Sequence, residues 1–213
     1  LDYFQIKFDI PEEDLKTIPK EGAFISISNH PLGGIDGVLL LKLMLENRAD
    51  FKIIGNFLIH KIEPLKPFVL PVHPFDEYEN KSSYSGLKAA INHVQEGNAL
   101  GIFPAGEVST YKDGQLIIDK PWNEGTVKLI RKLNVPVVPI YFHAKNSWLF
   151  YVLSKINDKL RTAKLTSELL AQKNRTIKVR IGKPITPKEQ NELTDFNEYY
   201  DFLRKKTYML AQP

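Results

Sequence analysis

A histidine and an aspartate lie on either side of a glycine pair in the segment 29–37, Asn-His-Pro-Leu-Gly-Gly-Ile-Asp-Gly. At neutral pH His30 can accept a proton, and the Asp36 carboxylate can select the histidine tautomer and stabilise the imidazolium. Gly33 and Gly34 can adopt positive φ and fold the segment back on itself. The pair therefore predicts general-base chemistry. Two structural roles compete with it: Asp36 as the N-cap of the following helix, and His30 as an ordinary loop histidine.

A second polar turn lies at 103–109, Phe-Pro-Ala-Gly-Glu-Val-Ser, directly after another apolar stretch. Gly106 lets the backbone come close to a ligand, and Glu107 and Ser109 supply an acceptor and a donor. If both turns follow parallel strands, they open at the same edge of the sheet, where ligand clefts form. The alternative is a surface turn with a capping Glu or Ser.

Short apolar runs alternate with helical patterns along the chain. Strands are predicted at 23–28, 51–54, 99–103, 137–142 and 177–181. Helices are predicted at 37–47, 82–96, 123–134, 148–171 and 195–211, and a hairpin-like turn at 111–115. The alternation predicts an α/β sandwich, with a largely parallel sheet flanked by helices, and a single domain over residues 1–213.

Composition excludes several kinds of site. The 213 residues contain no cysteine, and the 5 histidines are scattered without metal-ligand spacing, so we expect no bound metal or cofactor. No apolar run is long enough to span a membrane, and no secretory signal opens the chain. Because the chain begins at Leu1 rather than Met, we expect an N-terminal piece to have been removed.

Positive charge concentrates between Lys155 and Lys183, where the only acidic residues are Asp158 and Glu168. The segment 148–153 just before it is rich in aromatic and aliphatic side chains. Such a combination suits an interface with anionic lipid headgroups. A solvated helix face whose apolar side packs in the core is the alternative. No nucleic-acid partner is expected, because no recognised binding motif is present.

The motifs, in their order, resemble those of the glycerolipid (PlsC-type) acyltransferase superfamily. Its NHxxxxD, FPEG-type and VPxxP blocks correspond to the segments at 29–36, 103–109 and 135–139. The resemblance covers most of 20–187 and implies a glycerol-3-phosphate acyltransferase-like fold. It also implies acyl transfer from acyl-ACP or acyl-CoA to a lysolipid hydroxyl, by a protein attached peripherally to the cytoplasmic face of the inner membrane.

Two departures from the family pattern bear on the acceptor. Five residues separate His30 from Asp36 instead of four, a form that resembles the branch acylating amino-acid lipids and its haemolysin-like relatives. Val108 stands in the place of the arginine of FPEGTRS, and Glu107 in the place of its threonine. Because a carboxylate repels phosphate and attracts ammonium, we expect a lyso-amino-acid lipid as acceptor.

The predicted mechanism is direct transfer, with His30 as general base and Asp36 as its orienting partner. A covalent acyl-enzyme is not expected, because the chain has neither a GxSxG elbow nor a cysteine. Backbone amides near Gly33, Gly34 or Gly106 are candidate oxyanion donors. The other predicted binding residues are Phe103, Pro104, Glu107, Ser109 and Asn146 for the lysolipid and Lys61 for the donor phosphates.

Other functions compatible with the same residues are a 1-acylglycerol-3-phosphate acyltransferase, a thioesterase or lysophospholipase, and a non-catalytic lipid-binding module. A hydrolase would use the same His/Asp pair to activate water instead of an alcohol. Consumption of the acyl thioester without any acceptor alcohol would identify the hydrolase.

Overall fold

The computed structural model describes residues 5–56, 62–72, 81–112, 116–156, 164, 167–168 and 171–212. The strands in these ranges are β1 (Lys7–Asp9), β2 (Phe24–Ser28), β3 (Lys52–Asn56), β4 (Val69–Val72), β5 (Ala99–Ile102), β6 (Thr110–Lys112), β7 (Leu116–Ile118), β8 (Val137–His143) and β9 (Thr176–Ile181). The helices are α1 (Glu12–Leu15), α2 (Gly34–Leu45), α3 (Lys81–Gln95), α4 (Glu124–Leu133), α5 (Trp148–Ile156), α6 (Pro187–Asn191) and α7 (Phe196–Met209). A 3-10 helix, Glu63–Phe68, connects β3 to β4.

Seven strands form one sheet in the order β1-β9-β8-β2-β5-β3-β4. Every neighbouring pair is parallel except β8 and β9, which confirms the predicted largely parallel sheet. Because β9 is antiparallel to β8, it begins at the edge where β8 ends. The strands β6 and β7 form a separate antiparallel hairpin after β5, at the place where a hairpin-like turn was predicted.

Both faces of the sheet are covered by helices. Helix α2 packs on one face through Leu39, Leu40 and Leu43, and every residue of β2 and β5 is buried. Parallel strands with helices on both faces are expected to be apolar throughout. The opposite face is covered by α3, α4 and α7, whose core residues are Ala90, Val94, Val127, Ile130, Tyr199 and Leu203.

All five predicted strands are present, within two residues at each end. The strands β1 and β4 at the two sheet edges were not predicted. The sequence of β1, Lys-Phe-Asp, contains a single apolar residue, and Pro71 interrupts the apolar run of β4. Of the helix predicted at 148–171, the described part of the chain includes α5, and most of the remainder lies outside the described residues. Within the described ranges, no helix is both long and apolar enough to cross a membrane.

Candidate active site

Three chain segments leave the sheet side by side at its carboxyl edge. The segment containing His30 follows β2, the segment beginning at Phe103 follows β5, and the segment containing Asn146 follows β8. Because β8, β2 and β5 are adjacent and parallel, their ends meet at one edge. The two polar turns predicted to share an edge therefore do so.

His30 and Asp36 are in direct contact, as predicted. His30 Nδ1 lies 3.0 Å from Asp36 Oδ2, and the His30 side chain is 15% exposed. Because the carboxylate is the acceptor of this hydrogen bond, we assign the proton to Nδ1, which leaves the Nε2 lone pair as the basic position. The Phe103 ring stacks on the imidazole with centroids 4.4 Å apart and fixes the ring plane. The histidine is therefore held by one charge and one aromatic face.

Asp36 also caps helix α2 from within its first turn. Its Oδ2 accepts the backbone N–H groups of Leu32 at 2.7 Å and Gly33 at 3.0 Å, in addition to His30. Gly33 has φ +78°, a conformation that favours glycine and turns the chain into the helix. Burial raises the pKa of the Asp36 carboxyl, and the hydrogen bond and charge of His30 oppose that rise. The predicted capping contact and the predicted contact with the histidine are thus made by the same carboxylate oxygen.

Asn29 fixes the start of the histidine loop. Its Nδ2 donates to the Phe142 carbonyl at 3.0 Å, and its Oδ1 accepts the Phe142 N–H at 2.8 Å. The side chain thereby pairs with the β8 backbone where the main chain of β2 turns away. These two hydrogen bonds hold Asn29 against β8, so the histidine loop is fixed at the point where it leaves the sheet.

Ser109 does not face a ligand-accessible surface, in contrast to the predicted headgroup contact. The residue is 2% exposed, and its hydroxyl donates to Asp119 Oδ1 at 2.6 Å. Its backbone N–H donates to the His30 carbonyl at 2.9 Å. The same Asp119 Oδ1 accepts the His30 backbone N–H at 3.0 Å. Ser109 therefore supports the histidine from behind, since both polar groups of this buried residue are used internally.

Asp119 is the important residue that the sequence interpretation missed. It follows the hairpin strand β7, is 2% exposed, and links the His30 backbone to helix α7. From that helix, Arg204 donates to the Asp119 carbonyl at 3.1 Å, and the Tyr208 hydroxyl accepts the Asp119 N–H at 3.1 Å. An isolated aspartate outside a glycine-bearing turn carried no sequence signal. Only the fold brings it beneath the histidine.

The candidate oxyanion donors differ in availability. The Gly33 amide is used by Asp36, and the Gly106 amide donates to the Phe103 carbonyl at 2.9 Å in a tight turn where Gly106 has φ +67°. The Gly34 N–H, at the start of α2, has no acceptor among the residues described. Of the three predicted amides, Gly34 is therefore the one free to meet a developing oxyanion.

The remaining predicted binding residues differ in their surroundings. Glu107 is half-buried and forms an ion pair with Lys120. This cation reduces the repulsion of phosphate that was expected from the glutamate. Val108 is buried in a cluster with Phe150 and Tyr151, so the position of the family arginine points into an apolar environment here.

Asn146 and Pro104 support the site loops from beneath. Asn146 is 4% exposed and donates from Nδ2 to the Pro31 carbonyl at 3.0 Å, which places it under the histidine loop. Buried Pro104 accepts the Asn123 N–H at 2.8 Å. Both were predicted to bind the lysolipid, but their burial and contacts give them supporting positions. Lys61, predicted to meet the donor phosphates, lies outside the described residues. In the described ranges no cluster of His, Asp and Glu is arranged to hold a metal ion.

Comparison with known proteins identifies two relatives. Two lyso-glycine lipid O-acyltransferases are similar in sequence to this chain. The protein of Bacteroides thetaiotaomicron is 28% identical over 193 residues, covering 87% of this chain and 68% of the relative. The protein of Phocaeicola vulgatus is 27% identical over 220 residues, covering 99% of this chain and 75% of the relative.

The fold has a counterpart among solved structures. The 1-acyl-sn-glycerophosphate acyltransferase PlsC of Thermotoga maritima superposes with a TM-score of 0.60 at 17% identity. The superposition covers 97% of this chain and 71% of that protein. It confirms the predicted glycerol-3-phosphate acyltransferase-like fold. The sequence model of the acyltransferase family matches residues 6–213, a range that includes both His30 and Asp36. The chain therefore belongs to the acyltransferase family.

Proposed function

We propose that this protein transfers a fatty acyl group from an acyl thioester to the hydroxyl of a lyso-amino-acid lipid. The observation that carries the proposal is the 3.0 Å contact between His30 Nδ1 and Asp36 Oδ2 at the carboxyl edge of the sheet of an acyltransferase. The contact orients a base whose other nitrogen is available, and a partly exposed imidazole can meet a substrate hydroxyl.

Transfer then proceeds in two steps at one histidine. His30 Nε2 takes the proton of the lysolipid hydroxyl as its oxygen attacks the thioester carbonyl, and an oxyanion forms on the carbonyl oxygen. The carbon–sulfur bond breaks as the oxyanion collapses, and the imidazolium returns the proton to the leaving thiolate. Asp36 stabilises the imidazolium between the two steps, and the free amide of Gly34 is the donor we assign to the oxyanion.

An amino-acid-linked acceptor is supported by the two relatives and by the surroundings of residue 108. Both relatives are lyso-glycine lipid O-acyltransferases. The apolar packing of Val108 leaves no guanidinium at the position where the family arginine serves a phosphate. We expect lysophosphatidate to be the poorer acceptor for this reason.

We further propose that the protein works at a lipid surface, on the cytoplasmic face of the inner membrane. Trp148 is 70% exposed and Leu149 is 46% exposed, and they follow Asn146 by two and three residues along the chain. Exposed Trp and Leu beside a basic stretch suit the headgroup region of a membrane. The acyl donor is proposed to be acyl-ACP or acyl-CoA, with no bound cofactor.

The test is acyl transfer by purified protein, with the released thiol and the acylated lipid measured in parallel. A lyso-glycine lipid, lysophosphatidate and no acceptor form three arms, each run with acyl-ACP and with acyl-CoA. We expect thiol release to require an acceptor and to be fastest with the lyso-glycine lipid. Thiol release without an acceptor would identify a thioesterase, faster acylation of lysophosphatidate would overturn the acceptor, and no turnover would favour a binding module.

The matched variant for this test is His30→Gln, which keeps a polar side chain of similar length. Loss of a general base lowers the rate by about 10²- to 10⁴-fold. A rate within tenfold of the parent, in a protein with an unchanged thermal midpoint, would exclude His30 as the base.

A further inference from the structure

A cleft of about 450 Å³ lies at the carboxyl edge of the sheet, where the loop of His30 also emerges, and it has no role in the chemistry above. It is located where β8 ends and antiparallel β9 begins, and Tyr141, His143, Lys145, Gln172 and Arg175 contribute to its walls. The strand β8 is the direct neighbour of β2, which carries His30. The cleft and the histidine therefore open at the same edge of the sheet, one strand apart.

Two exposed cations line the cleft. Lys145 and Arg175 both line it and are exposed, and neither has a carboxylate partner within the part of the chain that is described. Burial lowers the pKa of the His143 imidazole, and the nearby charges of Lys178 and Arg180 lower it further. Lys145 and Arg175 add two exposed positive charges at the cleft wall. An anionic group entering this cleft would therefore be attracted before it formed any hydrogen bond.

A glutamine forms part of the cleft wall. Gln172 lines the cleft and is 3% exposed, and its carbonyl accepts the Arg175 backbone N–H at 3.1 Å. A side-chain amide in a cleft wall can donate to a ligand or to water. Its two N–H groups can donate to the same oxygen atoms that an arginine fork binds.

We propose that this cleft binds the carboxylate of the lysolipid acceptor, through Arg175, Lys145 and the amide of Gln172. The inference rests on the proposed function. An amino acid joined to a fatty chain through its nitrogen keeps a free carboxylate, and a planar guanidinium binds a carboxylate with two parallel hydrogen bonds. The acceptor is thus recognised by its negative group, whereas the sequence had suggested an ammonium bound by Glu107.

The cleft is connected to the site through the backbone. Asn146 follows Lys145 and donates to the Pro31 carbonyl at 3.0 Å, next to His30. A headgroup held by Lys145 therefore lies close to the loop that carries the base. This geometry lets a carboxylate contact position a hydroxyl of the same lipid at the imidazole, which is how binding energy away from the reacting atoms assists a reaction.

The experiment compares a lyso-glycine lipid with its methyl ester, in neutral detergent micelles, for the parent protein and for Arg175→Gln. In the parent we expect the ester to have a KM about tenfold higher or more, because hydrogen bonds to charged groups are among the strongest. In Arg175→Gln the KM of the acid should rise to that of the ester, and the KM of the acyl donor should not change. The control is Lys188→Gln, an exposed cation on α6 near the opposite edge of the sheet, which should behave as the parent.

A second measurement separates the cleft from the catalytic proposal. Binding of N-dodecanoylglycine, which has no hydroxyl to acylate, is measured by calorimetry against its methyl ester. Preference for the acid that is lost in Arg175→Gln supports the cleft even if no acyl transfer is observed. Equal binding and equal KM for acid and ester overturn the inference while leaving the acyltransferase intact. A rise in the KM of the donor alone would assign the cleft to the donor phosphates and overturn it as well.

Discussion

Replacing Asp36 by asparagine removes a charge from the site while retaining the shape of the side chain. One oxygen of Asp36 accepts three donors, the N–H groups of Leu32 and Gly33 and the ring of His30, all within 3.0 Å. The amide oxygen of asparagine can take the same position, so the cap of α2 and the histidine tautomer are retained. What the variant loses is the electrostatic stabilisation of the imidazolium.

The size of the loss follows from the geometry. Unit charges about 4 Å apart interact by about 4 kcal/mol at an effective dielectric constant of about 20. A neutral hydrogen bond worth about 1 kcal/mol remains in Asp36→Asn. The difference of about 3 kcal/mol corresponds to roughly a 10²-fold lower kcat, at about 1.4 kcal/mol per factor of ten.

The assay is steady-state acyl transfer together with urea unfolding of Asp36→Asn, Asp36→Ala and the exposed control Asp201→Asn. Alanine removes the cap as well as the charge, so its free energy of unfolding should fall by about 1–3 kcal/mol as buried amides lose their acceptor. Asparagine should lose much less stability but a similar amount of activity. If Asp36→Asn kept its kcat within tenfold of the parent while Asp36→Ala unfolded, the carboxylate would be a helix cap and nothing more.

Three further predictions concern the surroundings of the site. Asp119→Ala leaves the amide of His30 without its acceptor, so in steady-state kinetics kcat should fall by up to about tenfold while KM changes little. Asp119→Asn should partly restore the activity, and equal losses in both variants would contradict this positioning role. Burial alone would raise the pKa of the Asp50 carboxyl, but hydrogen bonds from an arginine and a backbone amide lower it overall. Its stabilisation is complete above the unfolded value of 3.8 and is lost as the pH falls through the folded value, so urea unfolding should show a shallower acid dependence in Asp50→Asn. A Cβ on Gly86 would lie 1.8 Å from the Pro71 carbonyl oxygen, and Gly86→Ala should lower the free energy of unfolding despite its better helix propensity.

The interior of the sheet was predictable because its strands carry their own signal. The residues of β2 and β5 are buried on both faces, which requires short continuous apolar runs bounded by turns. The edge strand β1 is 3 residues long and only partly buried, and it exists because β9 offers it a partner. A local pattern cannot report a partner that is distant in the chain.

The candidate site divides in the same way. His30 and Asp36 could be paired from the sequence because a glycine turn leaves few ways to connect them, and their contact lies within one loop. Ser109 has a residue type that suits a ligand contact, yet its hydroxyl is satisfied by Asp119 in the interior. Residue type limits what a side chain can do, but burial decides whether a substrate can reach it.

The sequence by itself determined the α/β class, the pairing of His30 with Asp36, and the family to which the chain belongs, because each of these is written in short segments. The tertiary structure alone decided that Asp119 supports the histidine from the far side, that the Gly33 and Gly106 amides are already used, and that Lys145 and Arg175 line one cleft. These features join residues that are distant along the chain, and their hydrogen bonds and charges depend on how strands and helices pack, which no local pattern encodes.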